Sequence, residues 1–500
     1  MAKKESSIKL NFVMNCILAI SSFVFPLITY PYVSRILLPI GNGKVGFATS
    51  IISYFLMFSQ LGIPTYGIRL CAKVRDNKQK LSKAVSDILS INIVFTIISY
   101  AALTVSIFVV PKLAEEKMLM FVSSASIILS TIGMEWLFKG LEEYSYITIR
   151  SIIVKIVSLV LMFVFVHKQG DYIIYAAISV FASSASFLFN FFRATKLVKL
   201  RLFKKVEWKV HLKPIFIFFI MSVAVSVYTN LDTTMLGFMV GDEAVGLYGV
   251  AIKIRLVLLT LIGSLSTVLL PRASHYYQNQ QMNEFWEIMR KSTNFIFVVS
   301  LPALLFFIVF AKNSVLLLSG SEFVGAVPAM QIIMPTLFLV GLSGITGMQI
   351  LVPMCKEKIV LCSEIAGAVV DFLLNLILIP SLGIEGAAIG TLVAEIAVLA
   401  VQCIYLRKYL VTIFSNISIF RYFFALMNGY LLARWVLDAN MNDFAALAVS
   451  STIFFIIYIF ILIVMKEPFV LETIEQLKNK IQSTRNKSHK SHKKTEKQYE

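Results

Sequence analysis

The chain has 500 residues, of which 58% are hydrophobic and only 15% are charged, and its mean hydropathy is +0.81. A water-soluble protein could not bury so much apolar surface, and continuous apolar runs of about 20 residues predict an all-α polytopic membrane protein rather than a β-barrel. The net charge of +18 would suggest nucleic acid in a soluble protein, but here it lies mainly in the connections between apolar runs, so we expect no nucleic-acid partner.

Fourteen apolar runs are predicted to span the membrane. In chain order they lie approximately at 11–32, 45–66, 88–110, 118–138, 146–166, 172–192, 215–237, 245–270, 294–311, 328–352, 360–380, 386–406, 417–437 and 444–465. When the N-terminus is placed in the cytoplasm, most Lys and Arg residues of the connections fall on the cytoplasmic side, which predicts that both termini are cytoplasmic. The first run is too long for the apolar part of a signal peptide, so we expect it to remain as the first span.

Two segments of the sequence recur with a period of roughly 200 residues, or six spans. "GNGKVG" (Gly41–Gly46) aligns with "GDEAVG" (Gly241–Gly246), and "GDYIIYAAIS" (Gly170–Ser179) resembles "GIEGAAIGT" (Gly383–Thr391). Parallel repeats of this kind are typical of transporters whose substrate site lies between the halves. We therefore predict an N-terminal lobe at 1–205 (spans 1–6), a C-terminal lobe at 206–412 (spans 7–12), accessory spans 13–14 at 413–465 and a basic cytoplasmic tail at 466–500, which its composition predicts to be disordered.

The motifs of common enzymes are missing from the sequence. There is no phosphate-binding loop for ATP, no Ser-His-Asp arrangement and no metal-ligand spacing among the five cysteines. The connections on the predicted outer side are short, and the longest of them, around 312–327, contains Glu322 as its only acid. These features argue against a membrane glycosyltransferase or polymerase, and we predict that the protein is not an enzyme.

Ionisable side chains inside the predicted spans mark candidate sites, because such residues must face a cavity or a partner. They are Asp232, Lys253, Arg255, Glu364, Asp371 and Glu395. Lys253 and Arg255 are two residues apart and point in different directions on a helix, so one is expected to face a cavity and the other to pair within its lobe. Either Asp232 and Lys253 neutralise each other, or the cations form a site for an anionic headgroup.

Several short segments, in the same order and at similar spacing, resemble the Wzx-type polysaccharide flippases of the MOP exporter superfamily (polysaccharide transporter family). They are "LITYPYVSRIL" (Leu27–Leu37), "LGIPTYGIR" (Leu61–Arg69) followed by "AKVRDN", "EWLFKGLEEYSYITIRSI" (Glu135–Ile152), "DTTMLGFMVGDEAVGLY" (Asp232–Tyr248), "LLPR" (Leu269–Arg272) and "PSLGIEGAAIGT" (Pro380–Thr391). The resemblance covers about residues 10–465. It implies two six-helix lobes around a cavity, MATE-like in fold, with two extra C-terminal helices.

The resemblance also implies a function. A flippase of this kind moves oligosaccharide repeat units linked to undecaprenyl pyrophosphate from the inner to the outer leaflet by alternating access, for capsule, exopolysaccharide or O-antigen-like synthesis. It implies a multi-pass protein of the bacterial inner membrane whose partners are the lipid-linked oligosaccharide, membrane lipids, and a polysaccharide polymerase with its export machinery. The alternatives within transport are a lipid II flippase and a MATE-type multidrug/cation antiporter; the alternative from another class is a membrane polysaccharide polymerase or glycosyltransferase.

Site residues are implied by the same resemblance. Relatives that flip lipid II have cavity-lining arginines on spans 1, 2 and 8, and the counterparts here are Arg35, Arg69 and Arg255, with Lys253 as a rival on span 8. Arg35 and Arg69 lie at span ends, where side chains also reach for the interface without binding cargo.

The same relatives can hold a sodium ion between spans 7, 11 and 12. The candidate ion-coupling residues here are Asp232, Asp371, Asn375 and Thr391. Hard cations require only oxygen ligands, so the order of Asp and Asn on span 11, reversed from the relatives, does not exclude the site. A polar clamp without an ion is the alternative. No cofactor is expected, and the coupling ion is either sodium or a proton, which Asp232, Glu364 or Glu395 would carry.

Overall fold

The computed structural model describes residues 8–204, 206–415, 417–436, 441–475 and 478, and within these ranges the chain is helical and contains no β-strand. The predicted disordered tail lies outside the described residues beyond its first part.

Twenty α-helices follow one another along the described chain. The first ten are α1 (Ile8–Gln60), α2 (Ile63–Val74), α3 (Lys78–Val109), α4 (Pro111–Glu115), α5 (Lys117–Gly133), α6 (Glu135–Gly140), α7 (Tyr144–Phe165), α8 (Tyr172–Val180), α9 (Ser186–Leu197) and α10 (Trp208–Met239). The second ten are α11 (Asp242–Gln278), α12 (Met282–Val309), α13 (Ala311–Ser319), α14 (Val327–Ile333), α15 (Thr336–Ser343), α16 (Glu357–Leu382), α17 (Ile384–Tyr405), α18 (Leu410–Ile413), α19 (Ile419–Arg434) and α20 (Asp443–Val464). Short 3₁₀ segments (Gln169–Asp171, Ser321–Ala326) and π-helical segments (Phe181–Ala185, Gly344–Leu351) complete the set.

Helix α1 contains the first predicted span and most of the second, because its 53 residues are interrupted within the helix. Leu38 has φ 58° and ψ 178°, which is not helical, and Pro39 follows it directly. Proline donates no backbone hydrogen bond and clashes with the preceding turn, so the two halves of α1 meet at a sharp break. The glycine-rich segment that the repeat analysis identified begins immediately after this break.

The helices identify a multi-pass membrane protein. Among the described residues, ten helical segments are long and apolar enough to cross a membrane, and a bent pair of helices could form an eleventh crossing. One of the ten, Val13–Val74, has 62 residues and is long enough to cross twice. The polytopic all-α class predicted from the hydropathy is therefore confirmed, and the prediction of fourteen spans is consistent with it.

Contacts divide the chain into two compact units. The first comprises Met1–Val257, Val315–Ile333 and Leu361–Ala397, and the second comprises Leu258–Ser314, Met334–Val360 and Val398–Glu500. In the second unit α19 packs on α20, where Gly429 lies against Phe454, and the Tyr422 hydroxyl donates to Glu467 Oε1 at 2.9 Å. The lobe boundaries predicted from the repeat stay a prediction.

Candidate functional site

A buried polar cluster in the first unit contains the four candidate ion-coupling residues. Asp232 comes from α10, Asp371 and Asn375 come from α16 one turn apart, and Thr391 comes from α17. Asn375 Nδ2 donates to Asp232 Oδ1 at 2.7 Å, and Thr391 Oγ1 donates to Asp232 Oδ2 at 2.6 Å. All four residues are at least nine-tenths buried, so the apolar parts of these three helices enclose a hydrogen-bonded carboxylate.

Tyr248 on α11 is a fifth member of this cluster that the sequence analysis missed. Its hydroxyl donates to Asp232 Oδ2 at 2.5 Å and lies 3.1 Å from Thr391 Oγ1. A usable signal existed in the sequence, since α10 and α11 form a hairpin around Gly241 and residues at similar distances from the turn lie side by side. Asp232 is nine residues before that glycine and Tyr248 seven after it.

Two oxygens of the cluster have no hydrogen-bond partner among the described residues. Asp371 Oδ1 and Asn375 Oδ1 are both buried, and neither is hydrogen-bonded within the described part of the chain. Gly390 lies directly beside them, because a Cβ built there would overlap Asn375 Oδ1 and lie 3.2 Å from Asp371 Oδ1. Buried acceptors without partners are unfavourable, and a proton or a hard cation would satisfy them.

The oxygen chemistry of the cluster fits sodium or a proton better than a transition metal. Asp232 already accepts hydrogen bonds from three side chains, which leaves Asp371 as the carboxylate with a free oxygen. Two carboxylates in one buried cluster repel each other unless a positive charge lies with them. Across the described residues there is no group of three or more His, Cys, Asp or Glu side chains placed to hold a metal ion.

The two cations of span 8 point to different partners. Arg255 Nη2 lies 2.9 Å from Glu395 Oε1 on α17, and both side chains are buried. Lys253 Nζ lies 3.2 Å from the ring centroid of Tyr30 on α1, at the distance of a close cation–π contact. The hydrogen bonds of Asp232 go to Tyr248, Thr391 and Asn375, so the alternative in which Asp232 neutralises Lys253 is not the arrangement observed.

Arg35 and Arg69 lie elsewhere in the first unit. The Arg35 guanidinium donates to the carbonyl oxygens of Leu317 at 2.6 Å and Leu316 at 3.3 Å, at the C-terminal end of α13. That helix end carries partial negative charge, which a guanidinium stabilises. The Arg69 guanidinium lies over the ring of Phe218 on α10, 5.7 Å from its centroid. Each of the four predicted cations thus has its own partner in this structure, and their role in cargo binding stays a prediction.

Helix α1 closely approaches the end of α10 and the start of α11 through the glycine segments of the predicted repeat. A Cβ at Gly43 would overlap the Asp242 carbonyl group, and a Cβ at Gly246 would overlap the carbonyl oxygen of Pro39. A Cβ at Gly237 would instead overlap the ring of Phe47. The absence of side chains thus allows backbone-to-backbone contact between the two turns.

An ion-pair network lies beside the same turns. Lys112 Nζ is 2.9 Å from Asp242 Oδ1, and Lys44 Nζ is 2.5 Å from Glu116 Oε1. Tyr172 donates to Glu116 Oε2 at 2.8 Å. These pairs connect α4, Glu116 directly after it, and α8 to the two turns.

The other end of the same helices is closed by a further glycine. A Cβ at Gly62 would overlap the carbonyl oxygen of Ile215 and the Cβ of Phe218, both on α10. Spans 2 and 7 are therefore in contact at both ends in this conformation.

Comparisons with known proteins give matches over most of the chain. The model of a family described as "Polysaccharide biosynthesis protein" matches residues 8–277. A protein of Escherichia coli (strain K12) named "Putative O-antigen transporter" is 26% identical over 413 residues, which are 82% of this chain and 99% of that protein. A protein of the same name from Shigella dysenteriae is 25% identical over 76% of this chain and 94% of its own length.

Solved structures show the same fold. The structure of the lipid II flippase MurJ in an inward closed conformation matches with a TM-score of 0.72 and 16% identity, over 90% of this chain and 98% of that one. The inward-facing structure of a multidrug resistance MATE family transporter of the MOP superfamily matches with a TM-score of 0.60 and 13% identity, over 81% of this chain and 98% of that one.

Proposed function

Because the chain belongs to the polysaccharide biosynthesis protein family, we propose that it is a flippase for lipid-linked oligosaccharides. Relatives named as O-antigen transporters align over most of its length, and its fold is that of a lipid II flippase and of MATE transporters. In this reading the cargo is an oligosaccharide repeat unit on undecaprenyl pyrophosphate, which moves from the inner to the outer leaflet for assembly of a surface polysaccharide. The protein acts as a transporter, with no catalytic step of its own.

The chemistry of this cargo explains why a protein is needed. Sugar hydroxyls and a pyrophosphate lose their hydration in hydrocarbon, and unpaired polar groups and charges are very unfavourable there. Arg35, Arg69, Lys253 and Arg255 are the proposed partners for the pyrophosphate at different stages of the cycle. Lys253 is the strongest candidate for pyrophosphate binding, because its ammonium group contacts the ring of Tyr30 rather than a carboxylate in this conformation.

The observation that carries the energetic part of the proposal is the pair of unpartnered oxygens on Asp371 and Asn375. Asp232, Asp371, Asn375 and Thr391 would hold a sodium ion, or Asp371 would take up a proton. An ion bound there contacts three helices at once, so its affinity differs between conformations that hold those helices together and conformations that separate them. Coupling of ion binding to flipping requires such a difference in affinity. A membrane potential supplies ~2.3 kcal/mol per charge per 100 mV to drive the ion across.

Flipping in proteoliposomes, with sodium and pH gradients imposed separately, tests the function and the coupling together. We expect transport of an undecaprenyl-pyrophosphate oligosaccharide that rises with one of the two gradients. In Asp371→Asn the open carboxylate oxygen loses its charge, and that gradient dependence is expected to disappear. Transport of lipid II without transport of the oligosaccharide cargo would instead support the lipid II alternative. Transport of neither cargo would contradict the proposal.

Location and partners follow from the same function. A cargo assembled on the cytoplasmic leaflet places the protein in the bacterial inner membrane, with both termini on the cytoplasmic side. Membrane lipids surround it, and a polysaccharide polymerase with its export machinery would receive the cargo outside. Gene deletion is expected to cause lipid-linked oligosaccharide to accumulate, and this is measured by extraction and mass spectrometry.

A further inference from the structure

A cavity of about 420 Å³ lies on the first unit between α7 and α9, away from the Asp232 cluster. It combines cationic, aromatic and aliphatic side chains. Its lining consists of Tyr146, Arg150, Ile153, Val154, Phe189, Phe192, Arg193 and Lys196. Neither the cargo path nor the coupling site uses these residues.

Arg150 forms the inner wall of the cavity and is only 6% exposed. Its Nη1 donates to the carbonyl oxygen of Ser186 at 2.5 Å, directly after the π-helical segment Phe181–Ala185. Its Nε and Nη2 atoms are buried and have no hydrogen-bond partner among the described residues. Two guanidinium donors without an acceptor are unfavourable, and an anion with several oxygens would satisfy both. π-helical turns also occur frequently at functional sites.

Two further cations and an aromatic ring extend the site from Arg150 toward the helix ends. The Arg193 guanidinium lies 4.2 Å from the ring centroid of Tyr146, and its Nη2 lies 2.8 Å from Glu143 Oε2. Lys196 is in the last turn of α9. Glu143 pairs with Arg193, and Glu135, whose charge also acts on Arg150, pairs with Lys139. The cavity therefore keeps a net positive charge and favours an anionic ligand.

The mouth of the cavity is apolar and faces outward. Ile153, Phe189 and Phe192 are each more than half exposed, on helices that the hydropathy places in the membrane. Arg150 is six residues from the start of α7, or ~9 Å along the helix. Cations at this depth lie near the headgroup region of a bilayer, with the exposed aliphatic and aromatic side chains beside the acyl chains.

We propose that this cavity binds the phosphate group of an anionic phospholipid of the surrounding bilayer. The Nε and Nη2 donors of Arg150 hold the phosphate oxygens, Arg193 and Lys196 supply the remaining positive charge, and Ile153, Phe189 and Phe192 contact the acyl chains. The site is independent of the transported cargo, and its occupant is a resident lipid. The predicted topology places it in the inner leaflet.

Native mass spectrometry of the delipidated full chain in detergent tests the proposal. The probes are phosphatidylglycerol, the zwitterionic phosphatidylcholine and inorganic phosphate. The variants are Arg150→Gln and the double change Arg193→Gln with Lys196→Gln, and the matched control is Lys199→Gln with Arg201→Gln, which removes two exposed cations that do not line the cavity. The thermal transition of each variant is recorded, and the double change keeps the test valid if Arg150→Gln fails to fold.

The expected result is one tightly retained phosphatidylglycerol in the natural protein and in the control. Retention should fall about tenfold in both cavity variants, since each loses charge-assisted hydrogen bonds to the phosphate. Equal retention in all four proteins would overturn the site. Phosphatidylcholine retained as tightly as phosphatidylglycerol would overturn the preference for an anionic lipid. Inorganic phosphate that binds while neither lipid is retained would overturn the lipid as the occupant.

Discussion

The buried Asp232 cluster depends at the residue scale on one glycine as much as on its carboxylates. Gly390 leaves room for Asn375 Oδ1 at the position where a side chain would begin. The site is therefore not defined by the side-chain chemistry of Asp371, Asn375 and Thr391 alone. The glycine next to Thr391 in "GAAIGT" determines whether the two free oxygens can converge.

The first prediction concerns the substitution of Gly390. Gly390→Ala is expected to lower gradient-driven flipping about tenfold, or ~1.4 kcal/mol, because the new methyl group displaces Asn375 Oδ1 without changing any charge. The measurement is flipping in proteoliposomes with and without the gradient. Gly249→Ala on α11 is the matched control, since a Cβ there meets no atom within 4 Å. Equal gradient dependence in the two variants would support the polar clamp without an ion.

Arg255 and Glu395 allow a test that separates structure from cargo binding. Each single change, Arg255→Met or Glu395→Gln, removes one charge of this buried ion pair and is expected to cost about 3–5 kcal/mol of stability. The double variant should recover most of that stability, as measured by thermal unfolding in detergent. If the double variant also flips cargo at the natural rate, then Arg255 has only a structural role. A stable double variant without flipping supports the cargo role.

The sequence located the acids of the site better than the cations. Asp232, Asp371 and Asn375 are conspicuous because apolar runs contain few such residues, and the structure brings them together with Thr391. The Arg35 guanidinium instead donates to a backbone carbonyl at the end of α13. The direction of a long side chain depends on helix rotation and on neighbours distant in the chain. Hydropathy contains no information on either, and Tyr248 could be found only from its distance to the Gly241 turn.

At the scale of elements, α1 and α10 are the pair whose contacts are most sensitive to side-chain size. Gly62, two residues after the end of α1, meets Ile215 near the start of α10, and Gly237 near the end of α10 meets Phe47 of α1. Alternating access requires that only one of these ends opens at a time. Glycine at both contacts lets each end close tightly and reopen without side chains that must interlock.

Gly62→Val is predicted to hold its end of the α1–α10 pair open. The added side chain would overlap the Ile215 carbonyl oxygen, which cannot move without shifting the helix. We expect flipping to be lost, and faster hydrogen exchange of the first turns of α10, while α19 and α20 exchange at the natural rate. Gly170→Val is the control, because open space surrounds that glycine. Unchanged exchange in α10 would contradict a gating role for this contact.

At the scale of the whole molecule, composition alone was enough to predict the class. Apolar runs must satisfy their backbone groups internally in lipid, so continuous runs can only be helices. The grouping of helices was harder to predict. The first unit joins Val315–Ile333 and Leu361–Ala397 to a region that ends more than fifty residues earlier in the chain, and such long-range packing leaves no local pattern in the sequence.

The orientation of the molecule in the membrane is a further prediction. Reporter tags at Lys205 and Lys490, both outside the described residues, should report the cytoplasm, because Lys and Arg concentrate on that side. Tags at Lys168 and Lys312 serve as the external controls. A periplasmic signal from either cytoplasmic tag would contradict the topology with fourteen spans and both ends inside.

The contact between the two glycine turns has a consequence for genetics. The obstacle to a side chain at Gly43 is the backbone of Asp242, whereas the obstacle at Gly237 is only the ring of Phe47. Selection for restored surface polysaccharide should therefore give different suppressors in the two mutant strains. A Gly237→Ala strain is expected to recover by second-site changes that shorten Phe47. A Gly43→Ala strain is expected to recover almost entirely by reversion to glycine, because no exchange of side chains can move a carbonyl group out of the way.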